Sequence, residues 1–188
     1  MSESPTRRHD PARQDAGPRQ LQRRQHDRVD DLRRILGREN QRPQGWSFSR
    51  RQSTTKNTNF GDVDFSADVK IPSANGGDAG LVFRAAKPAL GTDAYDGYYA
   101  GIGTSGKLVL GKAKGGLWTQ LASVKADIVP GKTYRVRVTA KKNAISVYAG
   151  ESTTAQLHVL EGTFASGMNG ARVFQTDAVF DNIKVEHL

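Results

Sequence analysis

No cysteine occurs among the 188 residues, so neither a disulfide framework nor a thiolate metal site can be built. That absence leaves the cellular compartment open. No apolar run approaches the roughly 20 residues that a membrane-crossing helix requires. The opening "MSESPTRRHDPARQDAGPRQ" has no apolar stretch behind its charges and does not read as a secretory signal. Histidine is scarce: His9 and His26 lie near the start, while His158 and His187 stand alone. No histidine triad for a metal can be read from that spacing. Lysine is missing from the first fifty residues, where all twelve basic residues are arginine.

What is present divides into two compositions. The formal charge of +9 invites a nucleic-acid reading, but residues 1–50 carry +5 of it and the remaining lysines are scattered. Residues 1–57 are rich in Arg, Gln, Asp and Pro, and such a segment buries too little apolar surface to offset its ordering entropy. We expect a disordered or weakly helical basic tail there. Within it, "DRVDDLRRILGREN" sets Val29, Leu32, Ile35 and Leu36 at helical spacing, with Asp27 as a cap and Gly37 as a stop. That predicts a short helix near 27–37, marginal on its own. An arginine arm for nucleic acid is the competing reading of the tail, and it predicts affinity that falls steeply with salt.

From residue 58 to 188 the pattern changes to short alternating runs separated by turn residues, the mark of an all-β, two-sheet antiparallel sandwich. In "FSADVKI", Phe65, Ala67, Val69 and Ile71 share one face. "PSANGGD" then reads as a turn, followed by the strand "AGLVFRA". "GYYAGI", "KLVLGKA" and "WTQLAS" form the next strands, joined by "GTSG" and "KGG". The clearest hairpin pairs "TYRVRVTA" with "AISVYA", so that Tyr134, Val136 and Val138 face Ile145 and Val147. "GARVF" and "AVFDNIKVE" close a set of about ten strands with no convincing helix.

Chemistry-bearing motifs are few. "GKLVLGKA", residues 106–113, is one residue short of a phosphate-binding loop, and its interior is made of strand formers. "GTSG" around Ser105 lacks the strand-turn-helix setting of a nucleophile elbow and reads as a hairpin turn. Asp93 and Asp96 form the one acid pair placed for general acid/base work, although loop aspartates more often shape turns or accept ligand hydrogen bonds. Asp181–Asn182 reads as a bulge or structural turn.

The runs "GDAGLVFRA", "GTDAYDGYYAGIGTSGKLVLGKAKGGLWTQLA", "YRVRVTAKKNAISVYA" and "ARVFQTDAVFDNIKV", in that order, closely resemble carbohydrate-binding modules of family 66. More distantly, they are similar to 3-keto-disaccharide hydrolase-like domains of the concanavalin/laminin-G type. The resemblance implies a jelly-roll sandwich that binds levan or another fructan, carried by a secreted bacterial glycoside hydrolase and acting outside the cell. It implies a binding module rather than an enzyme, with a glycoside-cleaving domain as the alternative. No cofactor follows from it. Sandwiches of this type often hold a structural calcium, though no ligand spacing here specifies one. The chain departs from the pattern at its start, where such modules have an extra strand containing Gly-Trp. Gly45–Trp46 followed by "SFSRRQSTTKNTNF" reads as a degraded copy, which would leave one sheet without an edge strand.

A sugar offers hydroxyls and a weakly apolar ring face, so its site needs fixed donors, acceptors and an aromatic platform. Strand parity places Arg84, Tyr99, Arg172 and Phe174 on outer sheet faces, with Asp93 and Asp96 on an adjoining loop and Trp118 opening a strand. Arginine's planar fork can hold neighbouring hydroxyls, and aspartate accepts from them. The resemblance implies a compact pocket of acidic and arginine side chains at these positions. The competing reading makes both arginines solvated or paired with acids, and gives Tyr99 and Trp118 to the rim of the core.

Overall fold

The computed structural model describes residues 50–54, 59–89, 91 and 93–188. The expected helix near 27–37 and the Gly45–Trp46 pair lie outside the described residues. Among the described residues, eleven strands form two antiparallel sheets and no helix occurs. The six-stranded sheet runs in the order β1 (Arg50–Thr54), β10 (Met168–Phe174), β3 (Asp78–Ala86), β4 (Asp96–Gly103), β5 (Lys107–Lys114), β6 (Leu117–Lys125). The five-stranded sheet runs β11 (Val179–His187), β2 (Val63–Lys70), β7 (Thr133–Lys141), β8 (Ala144–Ala149), β9 (Leu157–Leu160).

Alternation in the sequence becomes burial between the layers. Ala79, Leu81 and Phe83 of β3, Tyr98, Ala100 and Ile102 of β4, and Leu108 and Leu110 of β5 face the other sheet. They meet Phe65, Ala67 and Val69 of β2, Val136 and Val138 of β7, and Ile145 and Val147 of β8. The period of two is what puts one set of residues in the core and its neighbours outside. Val138 pairs with Val147 and Val136 with Ala149, which is the hairpin read from the sequence.

Two strands were not expected. β9 has only four residues, too few for an alternation to stand out. β1 lies within the run that was read as a degraded strand, and it pairs with β10 along its whole length. The edge thought to be missing is therefore filled, and the sheet takes in residues ahead of the expected boundary at 58. Ser105 lies in the turn between β4 and β5, and the run 106–113 is strand β5 with its leading glycine. The pairing of β11 slips between Asp181 and Lys184, which makes Asp181–Asn182 the expected bulge.

A second irregularity decides where the site can be. The β3–β4 register shifts between Phe83 and Ala86, and Arg84 takes a left-handed backbone with φ of 47°. Such a bulge re-aims a side chain. Arg84 is not on the outer face, as parity alone had it, but 1% exposed. Its Nε donates to the Gly61 carbonyl at 2.8 Å, and its Nη1 donates to the Lys142 carbonyl at 2.7 Å and the Phe164 carbonyl at 3.3 Å. Its Nη2 lies 3.4 Å from Asp62 Oδ1, and the same oxygen accepts from the Lys142 backbone N–H at 2.7 Å. Arg84 is a strut that ties the six-stranded sheet to the loops of the other layer.

Candidate functional site

On the outer face of the six-stranded sheet, parity holds and a small cluster forms. Arg172 projects from β10, where it pairs with Gly80 of β3. Its side chain is only 8% exposed, whereas arginines in folded proteins are mostly exposed. Nη1 donates to Asp78 Oδ1 at 2.8 Å, and Nη2 lies 2.9 Å from Asp93 Oδ1. Three rings surround the guanidinium: Tyr99 at 4.7 Å, Phe174 at 5.1 Å and Trp118 at 5.9 Å from its carbon. Cation–π attraction of this kind contributes more where water is excluded.

The rings lie low against the sheet because glycines make room for them. A methyl group on Gly101 would collide with the Tyr99 ring and hydroxyl, and one on Gly111 with the Trp118 indole. Tyr99 and Trp118 then meet edge to face at 5.9 Å. The Tyr99 hydroxyl donates to Asp78 Oδ1. Asp93 holds its place with a left-handed backbone, φ 53°, a conformation that aspartate tolerates better than most residues and that is common where a loop serves a site.

Charges in the cluster are matched unevenly, with two carboxylates around one guanidinium. Burial raises the Asp78 carboxyl above the ordinary aspartate range, while Arg172 and the Tyr99 hydroxyl pull it back only in part. Burial works against the Arg172 charge too, but Tyr99, Asp78 and Asp93 more than restore it and leave its pKa raised. Burial, then Asp78, push the Tyr99 hydroxyl well up, and burial does the same to Tyr95. Both phenols are neutral donors at any ordinary pH.

Two oxygens in the cluster have no hydrogen-bond donor or acceptor among the described residues: the Tyr95 hydroxyl and Asp93 Oδ1. Tyr95 is 2% exposed, and Asp93 meets Arg172 as an ion pair off the donor axis. Buried polar atoms without partners are rare in folded proteins. Both belong to one loop, where the Tyr95 backbone N–H donates to the Asp93 carbonyl at 2.8 Å.

Of the residues expected from the sequence, the fold brings together Asp93, Tyr99, Trp118, Arg172 and Phe174. Asp96 is not among Arg172's partners. It accepts from the Gly115 backbone N–H at 2.7 Å and pairs with Lys87 at 3.0 Å, and these bonds, the Gly115 one first, hold its carboxyl below the usual range. It fastens the loop before β4 to the tip of the β5–β6 hairpin. Sequence reasoning missed Asp78 and Tyr95. Asp78 had been read as the end of a turn, yet it shares parity with Gly80 and Val82 and sits across from Phe174. Tyr95 lies in the loop 87–95, where no periodicity applies. Among the described residues, no group of three or more His, Asp or Glu is arranged to hold a metal ion, and no helix is long and apolar enough to cross a membrane.

The model of the 3-keto-alpha-glucoside-1,2-lyase-like domain family matches residues 39–186. A levanase from Bacillus sp. (strain L7) is 27% identical over 128 residues, which span 68% of this chain and 13% of the levanase. Among solved structures, the carbohydrate binding module CBM66 from Bacillus subtilis superposes with a TM-score of 0.67 at 24% identity, covering 76% of this chain and 84% of that one. Sheep galectin-11, in complex with glycerol, superposes with a TM-score of 0.52 at 12% identity, over 75% of this chain and all of its own. At such identities the two structures establish a shared sandwich fold.

Proposed function

As the chain belongs to the 3-keto-alpha-glucoside-1,2-lyase-like domain family, we propose that it is a non-catalytic glycan-binding module that serves a glycoside hydrolase. The observation that carries this reading is the Arg172 cluster: a buried guanidinium held by Asp78 and Asp93, ringed by Tyr99, Trp118 and Phe174, beside the unpartnered Tyr95 hydroxyl. The Asp78 and Asp93 carboxylates, whose side chains keep 24% and 11% exposure, would accept from sugar hydroxyls, and Trp118, 37% exposed, would cover a ring face. The likeness to a levanase and to CBM66 supports a fructan as ligand and an extracellular setting. The binding unit is the sandwich, with the arginine-rich stretch as an appendage. One sugar held this way binds weakly, and tethering to an enzyme or to a many-ended polymer supplies the rest through effective concentration.

Titration of the full chain with levan, inulin and arabinan, in parallel with the Arg172→Ala variant, tests the reading. Saturable binding of one of them that the variant loses supports it. Absence of binding at millimolar ligand, or binding that survives the substitution, overturns it.

The Asp78 carboxyl gives the enzyme reading its one specific support, because its raised pKa is what a general base requires. Against it, Arg172 and Tyr99 both occupy the same oxygen of that carboxylate. Turnover of a 3-keto glucoside, lost on Asp78→Asn, would favour elimination chemistry over binding.

A further inference from the structure

Two Asn-Gly pairs occur in the chain, Asn75–Gly76 and Asn169–Gly170, and the fold treats them in opposite ways. Asn169 is fully buried within strand β10. Asn75 is exposed in the loop between β2 and β3, and among the described residues neither its side chain nor the Gly76 N–H makes a hydrogen bond. Gly76 has φ of 93°, and a methyl group there would meet nothing within 4 Å. An asparagine amide free to turn, followed by a glycine with open space at its Cα and an N–H held by no acceptor, is the arrangement in which the backbone attacks the side chain.

We propose that Asn75 is a modification site, where deamidation alters the Arg172 cluster. The Gly76 nitrogen gives up its proton and bonds to Asn75 Cγ, and ammonia leaves with the side-chain nitrogen. The resulting succinimide is opened by water at either carbonyl, giving aspartate or isoaspartate, with no oxidant or other reagent consumed. Isoaspartate lengthens the main chain by one methylene two residues ahead of Gly77. Gly77 has no slack, since even a methyl group would collide with the Phe174 carbonyl and the Gln175 backbone. Its own carbonyl is held by the Thr104 backbone N–H at 3.1 Å. The next residue is Asp78, partner of Arg172 and Tyr99. The added length falls on the cluster. The consequence for binding rests on the proposed function, whereas the modification does not.

Folded protein aged in warm, mildly alkaline buffer, then digested with trypsin, is the test. The fragment Ile71–Arg84 should gain the amide-to-acid mass shift, with isoaspartate in excess, while the fragment containing Asn169 stays intact. Asn75→Gln should stop the change, since closure to a six-membered imide is far slower. An unmodified Ile71–Arg84 fragment from the folded protein, alongside conversion in the urea-unfolded chain, would overturn the assignment. For the cluster, Trp118 fluorescence in a Trp46→Phe background should differ between the isoaspartate form and Asn75→Asp, and levan affinity should fall several-fold in the former only. Identical fluorescence in both forms would refute the coupling. Changed fluorescence with no levan binding in any form would refute the fructan reading alone.

Discussion

Arg84 and Arg172 are both arginines in strands of one sheet, on adjacent strands β3 and β10, and both are almost buried. Their surroundings differ in kind. Arg84 meets three backbone carbonyls and a single carboxylate oxygen, all belonging to loops that the fold must hold together. Arg172 meets two carboxylates and three aromatic rings, with the unpartnered Tyr95 hydroxyl alongside. Carbonyl partners use up an arginine's donors and leave nothing for a ligand to complete. Under the proposed function, carboxylates and rings build a surface that another molecule can finish. On that reading, burial alone does not separate a structural arginine from a binding one; the chemistry of the partners does.

The comparison is broken most forcefully by truncating each arginine. Arg84→Ala should cost about 3 kcal/mol of stability or more, because it strands buried carbonyls and removes the tie between the layers. Denaturant unfolding would register that loss, and levan affinity per folded molecule should stay unchanged. Arg172→Ala should do the reverse in emphasis. Affinity should drop at least tenfold, about 1.4 kcal/mol, in a calorimetric titration, with a smaller stability loss from the two carboxylates left facing each other. Equal effects of the two substitutions on binding would erase the distinction.

Much of this was legible in the sequence, and the failures share one cause. Alternation set the two layers, and it put Tyr99, Arg172 and Phe174 on the outer face because the pairing there is regular. It failed at Arg84, where a bulge between Phe83 and Ala86 breaks the period, and no Gly, Asn or Asp in Phe83–Ala86 marks that bulge as Asp181–Asn182 marks the other. Asp78 was lost to a turn reading because Gly76 and Gly77 precede it, although its place across from Phe174 follows from the same parity that found Phe174. Tyr95 lies in a loop, where position depends on contacts rather than on period. Cluster membership came from three-dimensional pairing, which a linear pattern supplies only along regular strands.

A subtler change sharpens the contrast on the pocket side. Gly111→Ala places a methyl group where the Trp118 indole lies and within 2.6 Å of the Thr119 carbonyl; the indole can swing away, the backbone carbonyl cannot. Affinity should fall by several-fold, and stability should fall by about 1 kcal/mol or more, since Gly111 is buried and the Thr119 backbone must shift as well. Unchanged affinity would remove Trp118 from the site and leave the Asp78–Asp93–Arg172 group to act alone.

The smallest expected effect lies on the structural side, in a second tie between the layers. Lys112 of β5 donates to Glu161 Oε2 at 2.9 Å and to the Thr163 hydroxyl at 2.8 Å, and Thr163 donates through its backbone N–H to Glu161 Oε1 at 2.8 Å. The Lys112 bond first, then those from Thr163, bring the Glu161 carboxyl down to about 2. An unfolded glutamate titrates near 4.3, so the folded state favours the ionised form. Stability from this group is complete above the unfolded value and drains away as pH falls toward about 2. Glu161→Gln should therefore cost about 1 kcal/mol at neutral pH, with the gap from the parent closing through that acid window. Ligand affinity should be the same in both proteins at neutral pH, because none of these groups touches the Arg172 cluster. A stability gap that persists below the window would show that Glu161 acts by packing, and a loss of affinity would show that the two regions are coupled.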